Sequence, residues 1–122
     1  MSVTAIKLGT SISELDAWGS VSALGSEILS DGDVLAYGRM THGAPTDATS
    51  AGYFGASKGK FRLVYPFNEQ ATIVTGEVRI TDESSGETRT FQAGDSWFVT
   101  KGTSTVWDVS GEQVVKHYLA FA

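Results

Sequence analysis

Two glycine-bounded stretches decide the fold. They are Gly59-Lys-Phe-Arg-Leu-Val-Tyr-Pro-Phe-Asn-Glu69-Gln-Ala-Thr-Ile-Val-Thr-Gly76-Glu-Val78 and Gly94-Asp-Ser-Trp-Phe-Val-Thr-Lys-Gly102-Thr-Ser-Thr105-Val-Trp107. Apolar and polar residues alternate along both, which is the pattern of strands with one buried face. Glycines at the ends mark tight turns. Working outward, strand patterns also cover residues 34–38, 53–56, 88–91 and 114–120. Within the two stretches and running on from their ends, residues 61–65, 71–75, 78–82, 96–100 and 105–109 read as strands. Gly76-Glu77 reads as a hairpin connection between two of them. Short strands at this spacing predict an all-β sandwich or barrel.

The chain has 122 residues, enough for one domain with one core. Ser11-Ile-Ser-Glu14 has the form of a capping box, which predicts at most one short helix. Residues 20–32 read as loop, and residues 42–52, rich in Gly, Pro, Thr and Asp, as a second loop. The predicted organisation is an irregular N-terminal arm, 1–33, and a barrel, 34–122.

A net charge of −5 argues against nucleic acid and anionic membrane as partners, because both demand clustered Lys and Arg. The absence of cysteine removes disulfides, thiolate nucleophiles and Cys-based zinc sites. No stretch approaches the ~20 apolar residues of a membrane-spanning helix, and the N-terminus lacks the pattern of a signal peptide. The expected location is cytoplasmic.

The series Gly59-Lys-Phe-Arg62, Tyr65-Pro66, Glu69, Gly76-Glu-Val78, Gly94-Asp95, Lys101-Gly102, Trp107 and Lys116-His-Tyr118 resembles the cupin superfamily. More narrowly it resembles small single-domain cupins related to the ureidoglycine aminohydrolase cupin domain. The resemblance covers residues 52–121 and implies a double-stranded β-helix, or jelly-roll barrel. In a metal-binding cupin the first motif carries two histidines, a glutamate and a glycine at fixed spacing, and the second motif adds a histidine. Counting back from Gly76 places the glutamate at Glu69 and the histidines at Leu63 and Tyr65. The second-motif histidine falls at Thr105. Leucine and threonine cannot replace imidazole, and one carboxylate does not hold a transition metal. The expectation is therefore no metal and no cofactor.

Inward and outward side chains alternate in a small barrel. The phase of the ligand positions turns Leu63, Tyr65, Glu69, Thr105 and Trp107 inward. Lys116 and Tyr118 share a phase on the last strand, and His117 takes the other with Val115, Leu119 and Phe121, which makes it a core-facing or a cavity residue. If Lys116 and Tyr118 face in, Lys116 can pair with Glu69. The expected ligand-binding set is Tyr65, Glu69, Thr105, Trp107, Lys116 and Tyr118, with Glu69 the catalytic candidate. An inward carboxylate is costly unless it is paired, so Glu69 has a structural role to weigh beside a functional one. His42 reads as a solvated loop residue, Arg62 as an outward charge, and Asp95 as a turn residue bonding nearby amides. Of Trp97 and Phe98, one faces the core and the other a surface or interface.

Three functional readings follow from these residues and from what the resemblance implies. One is a metal-free cupin that binds a small polar metabolite. Another is an enzyme of the ureidoglycine aminohydrolase or epimerase type, using Glu69 with Tyr65 or Lys116. The last is a structural module that forms a homodimer.

Overall fold

The structure is a computed structural model that describes residues 2–122. Its strands are β1 (Asp16–Ser20), β2 (Glu27–Ile28), β3 (Leu35–His42), β4 (Thr49–Val64), β5 (Asn68–Asp82), β6 (Thr88–Gln92), β7 (Ser96–Val99) and β8 (Ser104–Phe121). Every pairing is antiparallel. This is the all-β barrel the alternation predicts.

Three long strands generate the shape. β4, β5 and β8 run for 16, 15 and 18 residues. The β4–β8 register breaks between Ser57 and Gly59. The β5–β8 register breaks between Ile73 and Thr75 and again between Gly76 and Arg79. Extra residues on one strand bend it and raise its twist. Each long strand therefore crosses from one wall of the barrel to the other. The first wall has the order β1-β3-β4-β8-β5-β7, with residues 49–57, 113–121 and 68–76 of the long strands. The second has the order β2-β4-β8-β5-β6, with residues 59–64, 104–109 and 77–82. Side chains pointing between the walls form the core.

The expected hairpin at Gly76-Glu77 does not exist. Residues 68–82 are one strand, and Gly76 is a bulge in it with φ +79°. A Cβ at Gly76 would run into the Gln113 carbonyl of β8, so only glycine lets the two strands approach at the bend. Glycine before a polar residue marks a hairpin and a bulge alike, and pairing with β8 decides for the bulge here. The segments at 53–56 and 61–65 likewise merge into β4, and those at 105–109 and 114–120 into β8.

Two 3-10 turns replace the one short helix expected. Ser11 and Glu14 close the capping box over Ile12–Glu14. The second turn, Val21–Leu24, is capped by Ser20 and falls within the stretch read as loop. Residues 16–28 are joined to the barrel: β1 pairs with β3, β2 pairs with β4, and Val21 is fully buried. The second loop is also shorter than expected, since His42 ends β3 and β4 starts at Thr49.

The main core holds Phe61, Ile73, Val78, Trp107, Val109 and Val114. Trp107 stacks on Phe61 at 5.7 Å between ring centroids and meets Phe54 and Trp97 edge-on. A smaller cluster, Tyr53, Val74 and Val115, lies on the outer side of the first wall, where Ile12 and Leu15 cover it. Gly9 N–H donates to Val74 O, and Gln113 Oε1 accepts from Ile12 N–H at 2.9 Å. Outside the second wall Arg62 joins Glu27 at 2.6 Å and Glu83 at 2.7 Å, as an outward charge should. No helix among the described residues is long and apolar enough to cross a membrane.

Candidate functional site

β5 enters the first wall at Asn68, directly after the Pro66 step, and alternation turns Glu69 inward. β8 turns Lys116 inward four rungs away, opposite Ile73 of β5 and Phe54 of β4. The two charges meet: Lys116 Nζ donates to Glu69 Oε2 at 2.5 Å. Both side chains are buried, with 4% and 9% of their surface exposed. Removing two ions from water is costly, and close pairing offsets that cost.

Aromatic rings supply the rest of the compensation. Lys116 Nζ lies 4.9 Å from the ring centroid of Trp107, 5.3 Å from Tyr118, and 5.4 Å from both Phe54 and Tyr65. All four are within cation–π range. The ammonium thus sits in an aromatic cage closed on one side by the carboxylate.

Above the cage opens a cavity of about 180 Å³, bordered by Ser50, Leu63, Phe67, Glu69, Lys116 and Tyr118. Drug-sized ligand sites begin at about 300 Å³, so this one suits a small molecule. The pair is not saturated. Glu69 Oε2 is the one acceptor that Lys116 Nζ has among the described residues, and Glu69 Oε1 has no donor. Two ammonium N–H groups and one carboxylate oxygen are therefore free for a ligand.

Four of the six expected ligand-binding residues gather here: Tyr65, Glu69, Lys116 and Tyr118. Trp107 takes part only as the cage floor, being fully buried in the core. Thr105 stands apart. Its hydroxyl donates to the Leu63 carbonyl at 2.9 Å, and it borders a different cavity. His117 faces neither the core nor the cavity that its parity suggested, but the outer side of the first wall, where Thr41 Oγ1 lies 2.8 Å from its Nε2 and the ring meets Tyr53 edge-on. Half-burial pulls its pKa below 6.5. His42 is exposed. Asp95 caps its turn, accepting from Gln92 N–H at 2.9 Å. Trp97 packs on the core and Phe98 is exposed.

Sequence reasoning missed Phe54. Ser50, Gly52, Phe54 and Ala56 share the inward phase of β4, and Phe54 is the one bulky side chain among them. That contrast was the available signal.

Both phenols in the cage stay protonated. Burial pushes the Tyr65 phenol far up, and the Glu69 charge adds to the effect. The indole N–H groups of Trp97 and Trp107 lie close enough to oppose the rise slightly, but without hydrogen-bond geometry. Tyr118 is pushed up to about 12 by burial, with Glu69 again contributing. Tyr65 Oη and Trp107 Nε1 have no hydrogen-bond partner and are fully buried. Each such group costs about 1–3 kcal/mol.

The transition metal of metal-binding cupins does not fit this donor set. Glu69 is engaged by Lys116, Thr105 by the Leu63 carbonyl, and Tyr65 is held as a neutral phenol. Among the described residues no three His, Cys, Asp or Glu side chains converge.

A model of the EutQ-like cupin domain matches residues 43–118. The chain belongs to that family. Solved structures agree on the fold of this EutQ-like cupin. A putative ethanolamine utilization protein Q from Salmonella typhimurium aligns at TM-score 0.58 and 23% identity, over 74% of this chain and 70% of its own. The EutQ protein of Clostridium difficile gives 0.61 at 15% identity, over 72% and 68%. A protein of unknown function from Pseudomonas syringae gives 0.71 at 18% identity, over 87% of this chain and 43% of its own. A comparison with curated proteins finds no match.

Proposed function

We propose that this cupin binds a small polar metabolite on the Glu69–Lys116 pair. The observation that carries the reading is the unsaturated, buried ion pair at the foot of a cavity. Glu69 Oε1 and the spare ammonium N–H groups belong to residues that border the cavity, so a ligand entering it can meet them without breaking the pair. Here a ligand oxygen can accept from Lys116 while a ligand N–H or O–H donates to Glu69 Oε1. The aromatic walls exclude water and strengthen both contacts.

An enzymatic reading, of the ureidoglycine aminohydrolase or epimerase type, needs Glu69 to accept a proton. Glu69 Oε2 is already taken by the Lys116 ammonium, and the neighbouring phenols are poor proton donors. Binding is the better-supported use of this geometry.

A thermal-shift screen of ureido compounds, amino acids, polyamines and sugars tests the proposal. A ligand at 100 times its dissociation constant stabilises by about 2.7 kcal/mol. Glu69→Gln should remove that stabilisation. A ligand whose shift survives both Glu69→Gln and Lys116→Met binds elsewhere, and the reading falls.

A second reading, homodimerisation, is favoured by a separate observation. Phe98, Leu119 and Phe121 are exposed on the outer side of the first wall, and Phe98 lies 6.1 Å from Phe121 between ring centroids. We propose this face as the contact between two copies.

A further inference from the structure

Beside the ion pair, the narrow cavity holds one more polar side chain that the fold leaves without a partner. Ser50 shares the inward phase of Phe54 on β4, and only 2% of its surface is exposed. It borders the cavity, and no group among the described residues bonds its hydroxyl. Unlike Tyr65 Oη and Trp107 Nε1, which are sealed in the core, that oxygen keeps accessible surface. Ser50, Ala120 and Glu69 form one rung across β4, β8 and β5. Two strand spacings, about 10 Å, separate the outer two backbones. The small Ala120 between them leaves the inside of the rung open. In the wider cavity, by contrast, the rim carboxylates Glu87 and Asp82 are already bonded, to Arg89 and Ser84.

The charges of the narrow cavity sum to zero. Glu69 and Lys116 cancel, and the phenols of Tyr65 and Tyr118 are neutral. A ligand with a net charge would bring an unpaired ion into an apolar enclosure, which is costly. The head group is therefore uncharged. Its free partners are an N–H of Lys116, Oε1 of Glu69, and the Ser50 hydroxyl. A primary amide presents one acceptor and two donors on adjacent atoms and carries no charge. The remaining border, with Val21, Leu24, Pro45, Leu63 and Phe67, suits an aliphatic body. A cavity of about 180 Å³ has the volume of about six waters, so head and body together come to about six non-hydrogen atoms.

We propose that the ligand of this site is a small primary carboxamide with a short branched aliphatic body. Its carbonyl accepts from Lys116, one amide N–H donates to Glu69 Oε1, and the other donates to Ser50 Oγ. A carboxylate or an amidinium of the same shape matches only one half of the pair. This rests on the reading of the Glu69–Lys116 pair as a binding site and specifies what that site selects.

NMR titration with isobutyramide, isobutyrate and isobutyramidine provides the test, since the three share one shape and are neutral, anionic and cationic. Isobutyramide should shift the backbone amide signals around Ser50, Glu69 and Lys116 saturably. The two charged analogues should bind about tenfold more weakly or worse, each leaving its own charge unpaired. Ser50→Ala should weaken isobutyramide about three- to tenfold, the loss of one hydrogen bond. Glu69→Gln leaves the site positive and should turn its preference to isobutyrate. Lys116→Met leaves it negative and should turn the preference to isobutyramidine. Where either of these variants does not fold, the wild-type ranking and Ser50→Ala decide. The proposal is overturned if isobutyramide does not bind, if a charged analogue matches it, or if Ser50→Ala binds it unchanged. A charged analogue that binds the wild type, and is lost in Glu69→Gln or Lys116→Met, overturns the carboxamide but keeps the pair as a binding site. Isobutyramide binding that survives both variants overturns the pair as a binding site as well.

Discussion

At the residue scale, the Glu69–Lys116 contact joins two groups that cannot be removed one at a time. Glu69→Gln leaves the Lys116 ammonium caged with no counter-charge. Lys116→Met leaves the carboxylate in an apolar pocket. Each single change should destabilise the fold by about 3–5 kcal/mol, while Glu69→Leu combined with Lys116→Met should come out near neutral. Urea denaturation of the three variants checks this, and singles that cost nothing would show the pair to be solvated. His117 gives a separate pH signature. Its folded-state pKa lies below the unfolded 6.5, because half-burial disfavours the imidazolium. As pH falls below 6.5, the unfolded chain takes up a proton that the folded chain resists, and stability drops until the folded pKa is passed. His117→Gln should flatten that part of the stability profile. The carboxylates Asp82 and Glu83, both held low by hydrogen bonds, act in a more acidic window. Their contribution is present above the ordinary carboxylate pKa and fades as pH falls through the lowered values.

At the element scale, the bends in β4, β5 and β8 decide the architecture, and Gly76 shows how one residue sets a bend. It combines a positive φ with backbone packed against the position a Cβ would take. Gly94 also has a positive φ, of +96°, but nothing lies near its missing Cβ. Gly94→Ala should therefore cost only the conformational term, about 1–2 kcal/mol. Gly76→Ala should cost clearly more, because the Gln113 carbonyl must move as well. Equal midpoints for the two variants in chemical denaturation would refute that account. The same bends explain what the sequence did and did not disclose. Alternation made the strands legible, and counting from Gly76 located Glu69 in the right phase. It also identified Lys116 and Tyr118 as one set and His117 as the other. Strand continuity was not legible, because Lys58-Gly59-Lys60 and Ser110-Gly111-Glu112 look locally like the ends of strands. Only pairing with neighbours far along the chain turns such breaks into bends. Thr105 was misplaced for a related reason. Inward phase alone does not say which of two cavities a side chain borders, and its hydroxyl is taken by the Leu63 carbonyl.

At the scale of the whole molecule, the walls enclose two cavities with different chemistry and leave one outer face unlike the others. A chain of net charge −5 repels its own copies. Two copies approach most easily through a face without carboxylates. On the outer side of the first wall, the cross-strand neighbours Ala51, Gln70, Thr72 and Ser96 surround Phe98 and Leu119, and none carries charge. A two-fold contact uses the same patch on both partners, so an uncharged, partly apolar face is self-complementary. A stable contact buries about 800 Å² per partner, an area that one barrel wall can supply. The protein should therefore run as a dimer in light-scattering chromatography at micromolar concentration. Leu119→Asp places a carboxylate opposite its own copy across the two-fold axis, and should shift the population to monomer without altering the fold. The mass should respond to salt in the variant more than in the wild type, because screening relieves the introduced repulsion. A wild-type protein that stays monomeric at high concentration, or a Leu119→Asp dimer of unchanged affinity, would show that this face meets something other than a second copy.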